Sequence, residues 1–204
     1  MKLAIASSMI AISLLSFACS KDDDNDGQTI EEIPNQLAGT YKTDCTANGV
    51  LELSSSNRTI DFSSVGDFDK QEVYYAGDSC TDAPALTYKV KGTVQAKGSL
   101  PENAELDMLN FSVNTAVITP GTQGIVDTMN TLKFCGKTDW AVGAESNIES
   151  LDCSGFTIKK GDVISDVYDD KDGTLYFGKT FALLLNQTGD RPTEVDLDTP
   201  YHKQ

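Results

Sequence analysis

Residues 86–96 are Leu86-Thr87-Tyr88-Lys89-Val90-Lys91-Gly92-Thr93-Val94-Gln95-Ala96, and this stretch decides the fold class. Its side chains alternate, so that one face is apolar and the other is hydrophilic. A period of two is typical of an antiparallel strand with one face buried and one in water. Gly92 falls on the buried face, where a bulge or sharp bend would help a sheet to close into a barrel.

The flanking sequence continues the β pattern. Turn-forming residues at 54–57 and 171–173 separate neighbouring candidate strands. Between Thr122 and Phe134 the apolar spacing changes to that of an amphipathic helix, which Gly136 is expected to end as its C′ residue. The chain is therefore predicted to be mainly β with one short helix. The shorter predicted strands are 38–44, 50–54, 58–63, 70–76, 106–111, 113–118, 155–159, 162–168 and 174–179.

The N-terminus has the features of a secretory signal. Lys2 supplies a positive charge, and residues 3–15 form an apolar run that is interrupted only by serines and is too short to span a bilayer. The end of this segment resembles a bacterial lipobox, because the small Ala18 precedes Cys19. We therefore expect residues 1–18 to be a signal peptide and Cys19 to be the acylated, palmitate-bearing N-terminus of a lipoprotein. The alternative is an ordinary signal peptide followed by a buried core cysteine.

Residues 19–36 are expected to form the lipidated cysteine and a flexible acidic tether. The segment from Ser20 to Gly27 is charged and has no apolar side chain, so it cannot pack into a core. It resembles the acidic stretch that follows the lipidated cysteine in surface-exported lipoproteins of Gram-negative bacteria. Ser20 at the second mature position also resembles the pattern for transport to the outer membrane. The expected location is the outer membrane, on either its periplasmic or its cell-surface face.

The tether also contains the opening of a calcium-binding loop. Asp22, Asp24, Asp26 and Gly27 match the first half of an EF-hand motif. The twelfth position of that motif should be a bidentate glutamate, and it is Ile33 here. A solvated acidic segment is therefore preferred over a metal site, and no metal is predicted.

Charge and composition exclude several classes of function. The 204 residues include 16 Lys and Arg against 31 Asp and Glu, which gives a formal net charge of −15. This charge repels phosphate backbones, so nucleic acid is not an expected partner. The single histidine, His202, lies near the C-terminus, and no common catalytic or nucleotide-binding motif is present. We therefore predict a protein that is not an enzyme and that has no cofactor.

Four cysteines remain after Cys19. In an oxidising compartment an even number of cysteines favours disulfides over metal or redox chemistry. Three pairings are possible. The sequential pairing, Cys45 with Cys80 and Cys135 with Cys153, is favoured because each pair flanks one local supersecondary unit. A functional thiol is the alternative, although no base is available to activate it. Trp140, between the last two cysteines, is expected to pack against their disulfide.

Several short motifs resemble the lipocalin-like family. Gly39-Thr40-Tyr41 is similar to the early G-x-W of lipocalins, with tyrosine in place of tryptophan. The stretch from Tyr74 to Thr81 and the Tyr88-x-x-x-Gly92 strand are similar to the lipocalin-like domain of a membrane-anchored Wnt inhibitor, adenomatosis polyposis coli down-regulated one, and to bacterial secreted proteins. The resemblance covers most of residues 37–201. It implies a single antiparallel lipocalin-like β-barrel of about eight strands, placed here at residues 37–189, with residues 190–204 as an extended C-terminal tail.

The resemblance also implies a cavity for lipid, and it supplies no catalytic residues. A small hydrophobic ligand or lipid is the expected partner, besides the membrane that holds the anchor. The alternative is a closed barrel whose acidic surface serves as an adhesion or interaction module for another envelope protein. Barrels of this size either hold one small ligand or are filled by their own side chains. The candidate lining residues are Tyr41, Leu53, Phe62, Leu86, Tyr88, Val90, Val94 and Phe177.

Overall fold

The computed structural model of the chain describes residues 35–47, 50–178 and 190–204. The predicted signal peptide, Cys19 and nearly all of the predicted tether lie outside these residues. In the described ranges the strands are β1 (Gly39–Thr43), β2 (Thr46–Ala47), β3 (Ser55–Phe62), β4 (Asp67–Tyr75), β5 (Leu86–Leu100), β6 (Asn103–Pro120), β7 (Ser146–Asn147), β8 (Val163–Lys171), β9 (Thr174–Phe177) and β10 (Tyr201–Lys203), and the helix α1 is Gln123–Leu132.

Eight of these strands form a closed antiparallel barrel. Hydrogen-bonded neighbours follow the order β1-β10-β9-β8-β6-β5-β4-β3, and β3 pairs back with β1 to close the ring. The short strands β2 and β7 pair with β3 and β6 outside this ring. Closure gives each barrel strand a partner on both sides, which removes exposed sheet edges. The predicted fold class, one antiparallel barrel of about eight strands with a helix and two disulfides, is confirmed.

The β5–β6 hairpin is the longest wall of the barrel. Its register runs from Leu86 opposite Pro120 to Leu100 opposite Asn103. The register shifts between Lys91 and Gly92, which is the irregularity predicted from the glycine in this strand. A Cβ atom at position 92 would collide with the carbonyl group of Ser112 on β6. Only glycine therefore lets the two backbones approach this closely at the bend. The strands expected at 106–111 and 113–118 are the single strand β6.

A side-chain cap sets the beginning of helix α1, and a left-handed residue sets its end. The side chain of Thr122 caps its N-terminus by accepting a hydrogen bond from the backbone N–H of Ile125. The helix ends at Lys133, which adopts the left-handed conformation with φ of 50°. The prediction that Gly136 ends the helix is therefore wrong, because Lys133 itself supplies the left-handed residue. The buried face of α1 consists of Ile125, Val126 and Met129.

Both disulfides have the sequential pairing. Cys45–Cys80 joins the loop after β1 to the loop after β4, and Cys135–Cys153 closes the segment that follows α1. Trp140 is buried in the same core cluster as Cys135 and Cys153, as expected from its place between them. Its indole N–H donates a hydrogen bond of 3.1 Å to the carbonyl oxygen of Phe134, which satisfies the polar atom of the ring.

Two predicted strands are not strands. The segment 50–54 contains a 3₁₀ turn, Val50–Glu52, in which Leu51 has a φ of 49°, a left-handed value that a strand does not use. The segment 155–159 is a loop whose backbone pairs with the disulfide loop, since the carbonyl of Ile158 accepts from Ser150 and that of Phe156 accepts from Cys153. Both segments bury apolar side chains without joining a sheet.

The C-terminal segment belongs to the barrel. Sequence analysis places residues 190–204 in an extended tail outside the barrel, but β10 lies between β1 and β9 and completes the ring. The register pairs Thr43 with Tyr201 on one side and Leu175 with Tyr201 on the other. A strand of three residues carries too little apolar pattern to be recognised in sequence. The ring therefore closes through a segment that was predicted to be an extended tail.

Candidate ligand site in the barrel interior

The eight predicted lining residues all lie in one buried cluster inside the barrel. Each of them is at most 4% exposed. Seven come from barrel strands, whereas Leu53 comes from the loop that follows the 3₁₀ turn before β3. The sequence therefore predicts which side chains meet in the interior, although the structure places one of them on a loop. These residues are Tyr41, Leu53, Phe62, Leu86, Tyr88, Val90, Val94 and Phe177.

Aromatic rings form one layer of this interior. Phe62, Phe111 and Phe177 surround a common point, with ring centroids 6.3–6.4 Å apart. Phe68 packs edge-on against Phe111, and Tyr201 packs edge-on against Phe177, each at 5.1 Å. Such edge-to-face contacts are a favourable arrangement of aromatic rings. This aromatic layer gives the interior a rigid, apolar wall.

Ionisable side chains share the interior with the aromatic layer. On β4 the alternation that turns Phe68 and Tyr74 inward also turns Lys70 and Glu72 inward. Lys70 is 3% exposed and Glu72 is 1% exposed, and Asp166 on β8 is 1% exposed. Lysine, glutamate and aspartate are almost never buried this fully unless they are paired. We call Arg58, Lys70, Glu72 and Asp166 the buried charge cluster.

Arg58 and Glu72 form the central ion pair of the buried charge cluster. Arg58 Nε lies 3.2 Å from Glu72 Oε1, and the hydroxyl of Ser56 donates a hydrogen bond of 2.7 Å to the same oxygen. Burial opposes the charge of Arg58, but the neighbouring Glu72 carboxylate outweighs it and raises the pKa of the guanidinium. Two charges are therefore held in the interior by mutual contact.

Lys70 is the second cation of the cluster. Burial, followed by the adjacent charge of Arg58, holds the pKa of Lys70 well below its usual value, although the charges of Asp166 and Glu72 act in the opposite direction. In the register of the sheet its neighbours are Ile60 on β3 and Val90 on β5, both buried and apolar. The amine of Lys70 is therefore far easier to deprotonate than that of a surface lysine.

Asp166 uses one carboxyl oxygen for the backbone and leaves the other unpaired. Its Oδ1 accepts hydrogen bonds from the backbone N–H groups of Val167, at 2.8 Å, and Gly178, at 3.0 Å. Its Oδ2 is buried and has no hydrogen-bond partner. Burial raises the pKa of Asp166 to about 7, although these backbone N–H groups and the charge of Lys70 lower it.

Two tyrosine hydroxyls in the interior are unpaired as well. Among the described residues, the buried side-chain atoms with no hydrogen-bond partner are Arg58 Nε, Tyr88 OH, Asp166 Oδ2 and Tyr201 OH. Arg58 Nε retains its ion pair with Glu72. The charge of Arg58 also acts on Tyr201, and a weaker side-chain interaction between the two groups further lowers the pKa of the hydroxyl. Burial raises the pKa of both tyrosines, so their hydroxyls stay protonated.

The C-terminal segment fixes the strand that carries Asp166. The guanidinium of Arg191 donates hydrogen bonds to the backbone carbonyls of Leu109, at 2.8 Å, and Asp166, and to the side chain of Asn110, at 2.6 Å. Gly178 forms a bridge with Val195 further along the same segment. Arg191 therefore connects β6, β8 and the chain that leads into β10, which holds the backbone around Asp166 in place.

Two open pockets lie on the outer surface of the protein. One, of about 300 Å³, is lined by residues that include Asp61, Asp67, Asp69 and Lys91. The other, also about 300 Å³, lies beside Cys45 and includes His202. In the described part of the chain no group of three or more His, Cys, Asp or Glu side chains is arranged to hold a metal ion. No helix of that part is both long and apolar enough to cross a bilayer.

Fold and interior together define a small β-barrel protein with a mixed aromatic and ionisable interior. Comparison with known proteins adds no family to this description, because no family model and no curated protein matches the chain.

Sequence reasoning did not find the buried charge cluster. A pattern of apolar alternation identifies Tyr88 and Val90 as inward residues, but it does not identify Lys70 and Glu72. The alternation of β4 contained the necessary information, because Phe68, Lys70, Glu72 and Tyr74 all have the same parity. Arg58 likewise shares its parity with Ile60 and Phe62 on β3, and Asp166 shares its parity with Ile164 and Tyr168 on β8.

We expect Asp166 to make the protein less stable as pH rises through the acidic range. An unfolded aspartate has a pKa near 3.9, whereas the folded-state pKa is about 7. Between these values the folded state binds a proton that the unfolded state has released. The contribution of Asp166 to the free energy of unfolding is therefore fully present below about pH 4 and is lost as the pH rises to about 7. The slope from one such proton is about 1.4 kcal/mol per pH unit.

Asp166→Asn isolates this effect, because asparagine resembles the protonated acid at every pH. The stability of Asp166→Asn relative to the wild type should rise from pH 4 to pH 7, as measured by urea unfolding at several pH values. Lys70 acts in the opposite direction, because its lowered pKa favours the folded state as pH rises, and Asp166 itself raises the pKa of Lys70. The difference between the two proteins therefore measures Asp166 together with its effect on Lys70. A constant difference between the two proteins across this range would contradict the prediction.

Proposed function

We propose that this protein is a non-catalytic, lipid-anchored protein of the outer envelope whose barrel binds a small amphiphilic molecule. The observation that carries the proposal is the set of unpaired polar atoms in the interior, namely Tyr88 OH, Tyr201 OH and Asp166 Oδ2. They lie in an interior that also contains aromatic and aliphatic side chains and the other members of the buried charge cluster. A ligand with an apolar body and a polar group would contact both kinds of surface once the interior side chains, which leave these atoms inaccessible to solvent, move apart to admit it.

The energetics of burial favour this proposal over an interior that serves only as a core. A buried polar group without a partner costs about 1–3 kcal/mol, and native proteins contain few of them. Three such atoms lie among the described residues, and a bound molecule with hydrogen-bonding groups would supply partners for them. The polar atoms narrow the ligand expected from sequence, a hydrophobic molecule or lipid, to one that also forms hydrogen bonds.

The anchor is proposed from sequence alone. Three acyl chains on Cys19 would hold the protein stably on the membrane, since each buried methylene contributes about 0.8 kcal/mol. We expect the wild-type protein to fractionate with outer membranes and to incorporate labelled palmitate. Cys19→Ala should abolish the label and release any exported protein into the soluble fraction. Labelled Cys19→Ala protein, or unlabelled wild type, would contradict the anchor.

Native mass spectrometry tests the proposed binding function. Residues 20–204, exported to an oxidising compartment behind an unrelated cleavable signal, contain the whole predicted mature chain except Cys19. We expect an added mass that persists under native conditions and disappears on denaturation. Chemical analysis of the released molecule then gives its identity. A bare mass, together with no binding of added amphiphiles, would overturn the proposal and favour the closed barrel as an interaction module with an acidic surface.

A further inference from the structure

We infer that the Cys45–Cys80 disulfide is a thiol–disulfide exchange site, which a low-molecular-weight thiol attacks at the Cys45 sulfur through the open pocket beside β10, whereas Cys135–Cys153 is a structural disulfide. The inference goes beyond the proposed function, because it concerns the outer surface of the barrel and does not depend on what the interior binds. It assigns different chemistry to two bonds that the cysteine spacing alone does not distinguish.

The first argument is access. Exchange requires an attacking thiolate to reach one of the two sulfur atoms. Cys45 is exposed and lines the open pocket of about 300 Å³ beside β10, which has room for a small thiol. Cys135 and Cys153 are 4% and 1% exposed and belong to the same core cluster as Trp140. A thiolate therefore reaches the first disulfide in the native protein, and it reaches the second only after the core opens.

The second argument concerns which sulfur departs. Exchange is faster when the departing sulfur is better stabilised as a thiolate. Ser55 Oγ lies 3.4 Å from Cys80 Sγ, and its hydroxyl, which donates to the carbonyl of Gly77, can turn to donate to a Cys80 thiolate. The carbonyl oxygen of Asp78 lies 3.6 Å from Cys45 Sγ and would oppose a negative charge there. Both contacts favour attack at Cys45 and departure of Cys80.

The exchange proceeds in two balanced steps. In the first step a thiolate RS⁻ bonds to Cys45 Sγ while the Cys45–Cys80 bond breaks, and its electron pair leaves with Cys80 as a thiolate. In the second step another RS⁻ attacks the sulfur of the attached R group, which forms RSSR and releases the Cys45 thiolate. Two thiols are oxidised to one disulfide, and the two cysteines take up the protons that those thiols lost. The attacking thiol supplies its own thiolate, so no protein base is required.

Mass spectrometry of trapped intermediates tests the inference. Residues 20–204, exported to an oxidising compartment, are treated with 2-mercaptoethanol at pH 8 without denaturant, quenched with N-ethylmaleimide at timed intervals and digested with trypsin. The four cysteines lie in four different tryptic peptides, so each can be followed separately. We expect Cys45–Cys80 to open at least about 100-fold faster than Cys135–Cys153. The first intermediate should carry mercaptoethanol on Cys45 and maleimide on Cys80.

Two charge variants of opposite sign test the route through the pocket. Lys42 and Asp44 line the pocket together with Cys45. Because the attacking thiolate is an anion, Lys42→Gln should slow the opening of the disulfide and Asp44→Asn should speed it, each about 2- to 5-fold at low ionic strength. Lys89→Gln is the matched control, since Lys89 lies in the same register row as Lys42 but three strands away, on β5. It should leave the rate unchanged.

The outcomes decide between an exchange site and a second structural disulfide. Selective opening, with the adduct on Cys45 and opposite effects of the two charge variants, supports the inference. Equal opening rates, or faster opening of Cys135–Cys153, would overturn it. An adduct on Cys80, or rates that neither charge variant changes, would overturn attack at Cys45 through the pocket. If neither disulfide opens until urea is added, both bonds are structural and the inference fails.

Discussion

Glu72→Ala is expected to lower the free energy of unfolding by about 3–5 kcal/mol, because it removes the anion that holds two cations inside the barrel. Glu72 is 1% exposed. It forms an ion pair with Arg58 and accepts a hydrogen bond from the hydroxyl of Ser56. Without it the charge of Arg58 stays buried without its closest partner. The desolvation of that charge is then no longer offset. Urea unfolding at pH 7, followed by the fluorescence of Trp140 and by circular dichroism, measures the change.

Asp69→Ala on the same strand is the matched control. Asp69 forms an ion pair of 2.8 Å with Lys91, but the two side chains are 36% and 52% exposed. Exposed pairs of this kind contribute about 0–1 kcal/mol, so the control should differ little from the wild type. Equal losses in the two variants would show that the Glu72 carboxylate has no special role in the interior.

A double variant tests whether the unpaired charge of Arg58 accounts for the loss of stability. Arg58→Met with Glu72→Leu removes both members of the ion pair and retains apolar volume. We expect it to recover most of the stability lost in Glu72→Ala, because a buried ion pair and a hydrophobic replacement are often close in energy. Failure to recover any of it would show that an unpaired Arg58 charge does not explain the loss of stability in Glu72→Ala.

Removal of the Cys45–Cys80 disulfide is expected to lower the free energy of unfolding by about 4 kcal/mol through loop closure. The two cysteines are 35 residues apart in sequence, so their bond strongly restricts the unfolded chain. Cys45 is exposed and Cys80 is half-buried, so serine replaces each of them with little change in packing. The variant Cys45→Ser/Cys80→Ser should therefore report mainly on the unfolded state.

The denaturant dependence gives a second readout for the disulfide. A less restricted unfolded chain exposes more surface, so the urea m-value of the double variant should exceed that of the wild type. The native barrel should keep the circular dichroism spectrum of the wild type below the transition. A loss below about 1 kcal/mol with an unchanged m-value would contradict the loop-closure explanation.

How far the sequence predicts the interior is clearest on two strands. On β5 the inward side chains Leu86, Tyr88, Val90 and Val94 are apolar, so period-two hydrophobicity identifies them directly. On β4 the inward parity includes Lys70 and Glu72, and a hydrophobicity pattern assigns such residues to solvent. The prediction is correct where the interior is apolar, and it omits the residues on which the candidate site depends.

The sequence by itself determined the mainly β class, the bend at Gly92, the short helix and the four cysteines that form two disulfides. These features are local, because alternation, glycine and cysteine spacing act within one or two neighbouring strands. Only the tertiary structure decided that Tyr201–Lys203 completes the ring and that Arg58, Lys70, Glu72 and Asp166 share its interior. The physical reason is that burial of a charge depends on its partners from distant strands, and closure of the barrel brings those partners together.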